Sequence, residues 1–253
     1  MIINLMTWNT GLYIFGNKMK DKSLKPIEDK ANKIADEIFG MVKNFLEKEK
    51  AIAILQEVPY VSNLNWKKHP WFEKFVNVFP EEKYCSIYNK TSSKQALKMT
   101  VVLAKKDLIY PMDIERKNNL YVSFQILPNT PNQFTALAVH AHDAEECLDY
   151  LRRNCNTNYS LILGDFNAGN YIKEKNDRKI AKNRESYLKL INGYIDICQG
   201  EYTTKYKYPT YVDHVLLRSK YSFLQTHKVN NLEVNRRVSH SDHYPITFEL
   251  ELL

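Results

Sequence analysis

Short apolar runs that stop at a carboxylate, an amide or an imidazole recur along this chain, and they limit its fold more than any other feature. Ile2-Ile3-Asn4-Leu5-Met6-Thr7-Trp8 gives way to Asn9, and Ala51-Ile52-Ala53-Ile54-Leu55 gives way to Gln56-Glu57. The run ending in Ala138-Val139 meets His140, and Leu161-Ile162-Leu163 meets Gly164-Asp165-Phe166-Asn167. Such runs are too short for ordinary helices and read as strands, the unbroken ones covered on both faces. Further strands are read at 99–104, 120–127, 211–217 and 244–250. From Pro26 to about residue 49 the apolar positions Ile34, Ile38, Met41, Val42 and Phe45 keep the 3.6-residue spacing of an amphipathic helix. A second helix is read at 144–153. The stretch 59–98 is assigned loops, a short helix and an edge strand.

Strands outnumber helices, and a single helical stretch separates the strand ending at His140 from the one ending at Leu163. This arrangement suits a layered α/β sandwich with mixed sheets, as one domain over 1–253. Only seven glycines are present, with no Gly-rich phosphate loop, which disfavours a doubly wound nucleotide-binding fold. No repeat or low-complexity tract divides the chain.

Thirty-six Lys and Arg against 29 Asp and Glu give a formal charge of +7, a field that favours polyanionic partners. Cys85, Cys147, Cys155 and Cys198 have no Cys-x-x-Cys spacing and are expected as thiols. The first residues lack a basic segment and a small-residue cleavage site. No apolar run approaches the roughly 18 residues that span a bilayer. The expectation is a cytoplasmic monomer without a membrane anchor.

An Asp or Asn after a strand is most often a turn or cap residue. Here the polar strand ends gather into a set. Thr7-Trp8-Asn9, Gln56-Glu57, His140, Gly164-Asp165-Phe166-Asn167, Val212-Asp213-His214 and Ser241-Asp242-His243-Tyr244-Pro245 resemble, in order and approximate spacing, the motifs of the endonuclease/exonuclease/phosphatase superfamily. Deoxyribonuclease I and exonuclease III type enzymes belong to it. The motifs span residues 7 to 245.

The resemblance implies two mixed β-sheets packed face to face and flanked by helices, and phosphodiester hydrolysis with Mg²⁺ or Mn²⁺. Asn9, Glu57 and Asp242 are the implied metal ligands, hard oxygen donors suited to such a cation. Asp165 and Asn167 are implied to position the water, and His243, held by Asp213, to manage the proton. His140 is implied to donate to the phosphate or the leaving group. Two family features are missing: no acid follows two residues after Asn9, and strand 120–127 offers only Ser123 and Gln125 where a phosphate-binding arginine is expected. His142, His214 and His240 flank the motifs and read as supporting or surface residues.

Lys179, Lys182 and Arg184 lie in a basic stretch directly after the Asp165 motif, read as either a phosphate-contacting arm or a solvated charged helix. Arg236 and Arg237 precede the terminal motif and are further candidates for phosphate contact. Tyr202, Tyr206, Tyr208 and Tyr211 read as a base-stacking set or a tyrosine-rich edge strand. The leading expectation is a nuclease acting on DNA. Its alternatives are a phosphoesterase for phosphoinositide, sphingomyelin or a small phosphorylated metabolite, and a non-catalytic nucleic-acid-binding protein.

Overall fold

Two parallel strand pairs, one in each of two sheets, carry the polar strand ends to a common edge. The computed structural model describes residues 1–12, 25–60, 69–89, 97–112, 120–154, 158–168, 178–198, 201–205, 210–219, 221–238 and 240–253. In the first sheet β1 (Ile2–Asn9) lies parallel to β2 (Ala51–Pro59), and helix α1 (Lys25–Leu46) lies between them in sequence. A parallel pair needs a crossover of this kind. In the second sheet β7 (Phe134–His140) lies parallel to β8 (Leu161–Asp165), with α3 (Ala144–Arg153) between them in sequence.

The first sheet runs β11-β12-β1-β2-β4-β3 and the second β5-β6-β7-β8-β10-β9. Their other members are β3 (Tyr84–Ile87), β4 (Lys98–Lys105), β5 (Ile109–Pro111), β6 (Tyr121–Ile126), β9 (Tyr194–Asp196), β10 (Asp213–Arg218), β11 (His227–Val234) and β12 (Ile246–Leu252). Side chains from both sheets fill the space between them, among them Leu5, Ile54, Phe124, Ala138, Leu163 and Phe248. On the outer face of the first sheet, Ile38, Phe39 and Val42 of α1 and Trp71, Phe72 and Phe75 of α2 (Pro70–Val78) pack on Trp8, Leu55 and Val101. On that of the second, Cys147 and Tyr150 of α3 and Tyr187 and Leu190 of α4 (Arg178–Leu190) pack on Leu137, Val139 and Leu216. The result is the expected sandwich of two mixed sheets between helices.

The expected short helix and edge strand within 59–98 are α2 and β3. The edge strands β5, β9 and β11 and the short helix α5 (Tyr221–Thr226) are not legible in the sequence, since none has a continuous apolar run. The expectation that β2 has its polar end at Gln56-Glu57 is corrected. The strand continues to Pro59 through a bulge, in which Gln56 and Glu57 together face Thr100 of β4. Cys85, Cys147 and Cys198 are free thiols, and Cys155 lies outside the described residues. Among the described residues no helix is long and apolar enough to cross a membrane.

Candidate active site

The bulge in β2 determines where Glu57 points. Its backbone adopts φ +57°, a region costly for a residue with a long side chain. The carboxylate that results is buried, with two oxygens in different surroundings. Oε1 accepts from Lys98 Nζ at 2.8 Å, whereas Oε2 is buried with no hydrogen-bond partner. His140, the last residue of β7, brings Nε2 to 3.6 Å from Glu57 Oε1 and 3.9 Å from Asp165 Oδ2.

Asp165 ends β8 beside His140, the residue with which it is paired in register. Gly164 makes this possible, with φ +140° and a position where a Cβ would stand 2.0 Å from the Val139 carbonyl oxygen. Asp165 Oδ2 accepts from Asn9 Nδ2 at 2.9 Å, and Oδ1 accepts from the Asn167 amide at 2.8 Å. Asn167 sits at φ +47°, and its side-chain amide donates to the Ala141 carbonyl. Asp213 opens β10 directly opposite Asp165, and its Oδ2 lies 2.8 Å from His243 Nδ1. The other ring nitrogen, His243 Nε2, stands 3.9 Å from Asp165 Oδ2.

The segment bearing His243 is fastened from two sides. Trp8 Nε1 donates to the His243 carbonyl and Ser241 Oγ to the Asn9 carbonyl, while Tyr244 N donates to Thr203 O. Burial and neighbouring charges set the site's electrostatics. Burial lowers the His243 pKa, but the Asp213 and Asp165 charges and the Asp213 hydrogen bond outweigh it and raise the value to about 10. Burial pushes Asp165 up to about 6, partly offset by the His243 charge. Burial, followed by the charges of Lys98 and His243, holds His140 well below the ordinary histidine value. At neutral pH the two histidines therefore differ, His243 being an imidazolium and His140 a neutral ring.

No protein-family model matches the sequence, and no curated protein is similar to it in sequence. Solved structures do match in fold. An endonuclease/exonuclease/phosphatase protein from Bacteroides vulgatus superposes with a TM-score of 0.63 at 15% identity, covering 100% of each chain. The AP endonuclease LMAP from Leishmania major superposes at 0.65 and 13% identity, covering 100% of this chain and 88% of that one. This chain has the endonuclease/exonuclease/phosphatase fold. A Cimex nitrophorin shares it as well, with a TM-score of 0.52 at 11% identity, covering 99% of this chain and 97% of that one. Activity must accordingly be argued from the site.

Within this endonuclease/exonuclease/phosphatase fold, Asn9, Glu57, His140, Asp165, Asn167, Asp213 and His243 meet at one edge. Asn9 is engaged within the protein: Nδ2 holds Asp165, and Oδ1 accepts from Gly11 N at 3.1 Å. Asp242 is half-buried beside Gly11. Asp165, Asp213 and His243 each offer a ligand atom within 4.8 Å of the others, so this group could hold a metal ion. Asp213 and His243, however, are already bonded to each other. The partnerless Glu57 Oε2 is the better fit for a hard divalent cation, because a buried carboxylate oxygen needs a donor or a cation.

The other candidates are scattered. Arg184 is exposed on α4, and the side chains of Lys179 and Lys182 lie outside the described residues. Arg236 pairs with Glu201 at 2.6 Å, and Arg237 is exposed. Tyr211 is buried with its ring edge against His214, Tyr202 is exposed, and Tyr206 and Tyr208 lie outside the described residues. His142 is exposed, and His240 pairs with Glu37 at 3.0 Å.

His214 is fully buried. Its Nδ1 faces Asp196 Oδ2 at 2.9 Å and its Nε2 faces the Ala168 carbonyl at 2.5 Å. Lys98, at the site, carries no sequence signal because it closes a stretch without periodicity, and Asp196, which holds His214 behind β8, lies in an edge strand with no apolar run to announce it.

Proposed function

We propose that this chain is a divalent-metal-dependent phosphodiesterase that hydrolyses DNA. The observation that carries the reading is the placement of Asp165 Oδ2 at 3.9 Å from both His140 Nε2 and His243 Nε2, beside the partnerless Glu57 oxygen. Such a cluster offers a proton acceptor, a charged donor, a neutral donor and a cation site close together.

Asp165, ionised above about pH 6, takes a proton from the attacking water as its oxygen bonds to phosphorus. The phosphorus–oxygen bond to the sugar breaks, and His243 gives its Nε2 proton to the leaving oxygen. Asp213 holds the ring in the orientation and charge state this requires. His140, kept neutral, donates a hydrogen bond to a non-bridging oxygen without surrendering its proton. A Mg²⁺ or Mn²⁺ ion held by Glu57 Oε2, with Asp242 as a further oxygen donor, would neutralise charge on the phosphate.

The charge of +7 supports a polyanionic substrate, and the fold is shared with an AP endonuclease. The test is digestion of supercoiled, linear and single-stranded DNA and of RNA with Mg²⁺, Mn²⁺ or excess chelator. Cleavage of DNA that stops in chelator is the expected result. Hydrolysis confined to phosphoinositide, sphingomyelin or small phosphoesters would overturn the DNA assignment, and binding without hydrolysis would overturn the enzymatic one.

A further inference from the structure

A side-chain cation beside a phosphate stabilises the charge that develops in the transition state, and β6 supplies none: it offers Ser123 and Gln125. A lysine reaches the site from another strand. Lys98 opens β4, and its Nζ lies 2.8 Å from Glu57 Oε1 with 24% of its side chain exposed. The β2 bulge produces this meeting. Val58 pairs with Met99 and Pro59 with Lys98, while Gln56 and Glu57 both face Thr100. Lys98 and Thr100 are two residues apart and so share a face of the sheet. Thr100 uses that face to donate from its hydroxyl to Leu120 O, next to β6 of the second sheet, so Lys98 looks toward the same junction.

The position suits a phosphate. Lys98 shares the Glu57 oxygen that lies 3.6 Å from His140 Nε2, which places its ammonium beside the neutral histidine. An ammonium carries three N–H donors, so it can hold Glu57 and a phosphate oxygen together. The second Glu57 oxygen, Oε2, stays available for the metal.

We propose that Lys98 is the phosphate-binding cation of the active site, contacting a non-bridging oxygen of the scissile phosphate while it holds Glu57 by Oε1. The proposal rests on the phosphodiesterase reading of this site. Its rival is a plain counter-ion role, in which Lys98 does no more than neutralise a buried glutamate.

Lys98→Met and Lys98→Arg separate the two. Three readouts are needed: calorimetric Mn²⁺ binding without substrate, steady-state hydrolysis of bis(p-nitrophenyl) phosphate at saturating Mn²⁺, and calorimetric binding of inorganic phosphate in the presence of Mn²⁺. In Lys98→Met, Mn²⁺ should bind at least as tightly as in the parent, because a positive neighbour is gone. kcat/KM should fall by about 10²-fold or more, the scale of one lost donor to transition-state charge, phosphate should bind about 10-fold more weakly, and Lys98→Arg should recover most of both.

A Lys98→Met variant with kcat/KM within about 3-fold of the parent at saturating Mn²⁺ overturns the proposal. If the parent hydrolyses no phosphodiester, the functional reading fails, and phosphate binding then decides on Lys98: unchanged in Lys98→Met, it overturns the assignment. A measurement on the unaltered protein covers the case in which substitution prevents folding. Phosphate with Mn²⁺ should protect Lys98 from amine acetylation mapped by mass spectrometry, and lack of protection likewise overturns it.

Discussion

Glu57 has one oxygen on an ammonium and one on nothing, and its backbone is held at φ +57°. Both features cost stability. Glu57→Gln should leave the circular dichroism unchanged and weaken calorimetric Mn²⁺ binding by about 10-fold or more through loss of a charged ligand.

The Asp213–His243 pair permits a test of charge state. In chelator the His243 ring should titrate near pH 10 by NMR, and Asp213→Asn should bring it down, since the carboxylate that outweighs burial is gone. The sign for stability follows from a raised value. The pair's contribution is complete below the unfolded histidine value of 6.5 and is lost as pH rises through about 10. A melting temperature that Asp213→Asn leaves unchanged at pH 6 would contradict it.

At the scale of elements, the site depends on how closely strands approach. The β7–β8 pair carries His140 and Asp165 side by side, and no side chain fits at Gly164. Gly164→Ala should destabilise by at least ~3 kcal/mol, combining forbidden φ with a backbone collision. Denaturant unfolding measures this, and a loss under about 1 kcal/mol would show that the strands separate easily.

Behind β8, Asp196 of β9, Tyr187 of α4 and His214 of β10 form a buried cluster, with Tyr187 Oη 2.5 Å from Asp196 Oδ2. Both His214 ring nitrogens face acceptors, so the ring is an imidazolium. Burial alone would lower the His214 pKa and raise that of Asp196; their mutual hydrogen bond and charges reverse both shifts. The pair therefore stabilises the fold fully between the ordinary values of 3.8 and 6.5. Its contribution is lost as pH falls through the lowered Asp196 value or rises through the raised His214 value. Thermal melts across pH should show this dependence in the parent and a flatter profile in Asp196→Asn.

Over the whole molecule, the charge of +7 is a field and does not identify a contact. If the basic stretch entering α4 meets DNA, replacing Lys179, Lys182 and Arg184 by Gln should reduce the slope of log affinity against log salt by up to about one unit per lost phosphate contact. Turnover at saturating DNA should hardly change. An unaltered salt slope would return the stretch to a solvated helix.

Sequence alone determined the sandwich of two sheets and most of the groups at its working edge. A strand buried on both faces must be apolar throughout, so its end is marked by the first polar residue. Asn9, His140 and Asp165 are visible in this way. What only the tertiary structure decided lies off that pattern. The three edge strands are held by pairing to a neighbour and carry no apolar run of their own. The bulge in β2 is a mismatch of register between two strands, which neither strand's sequence contains, and it aims Glu57 and brings Lys98 to it across 41 residues of chain. The opposed charge states of His140 and His243 arise from burial and from carboxylates far away in sequence, distances that exist only once the two sheets have closed.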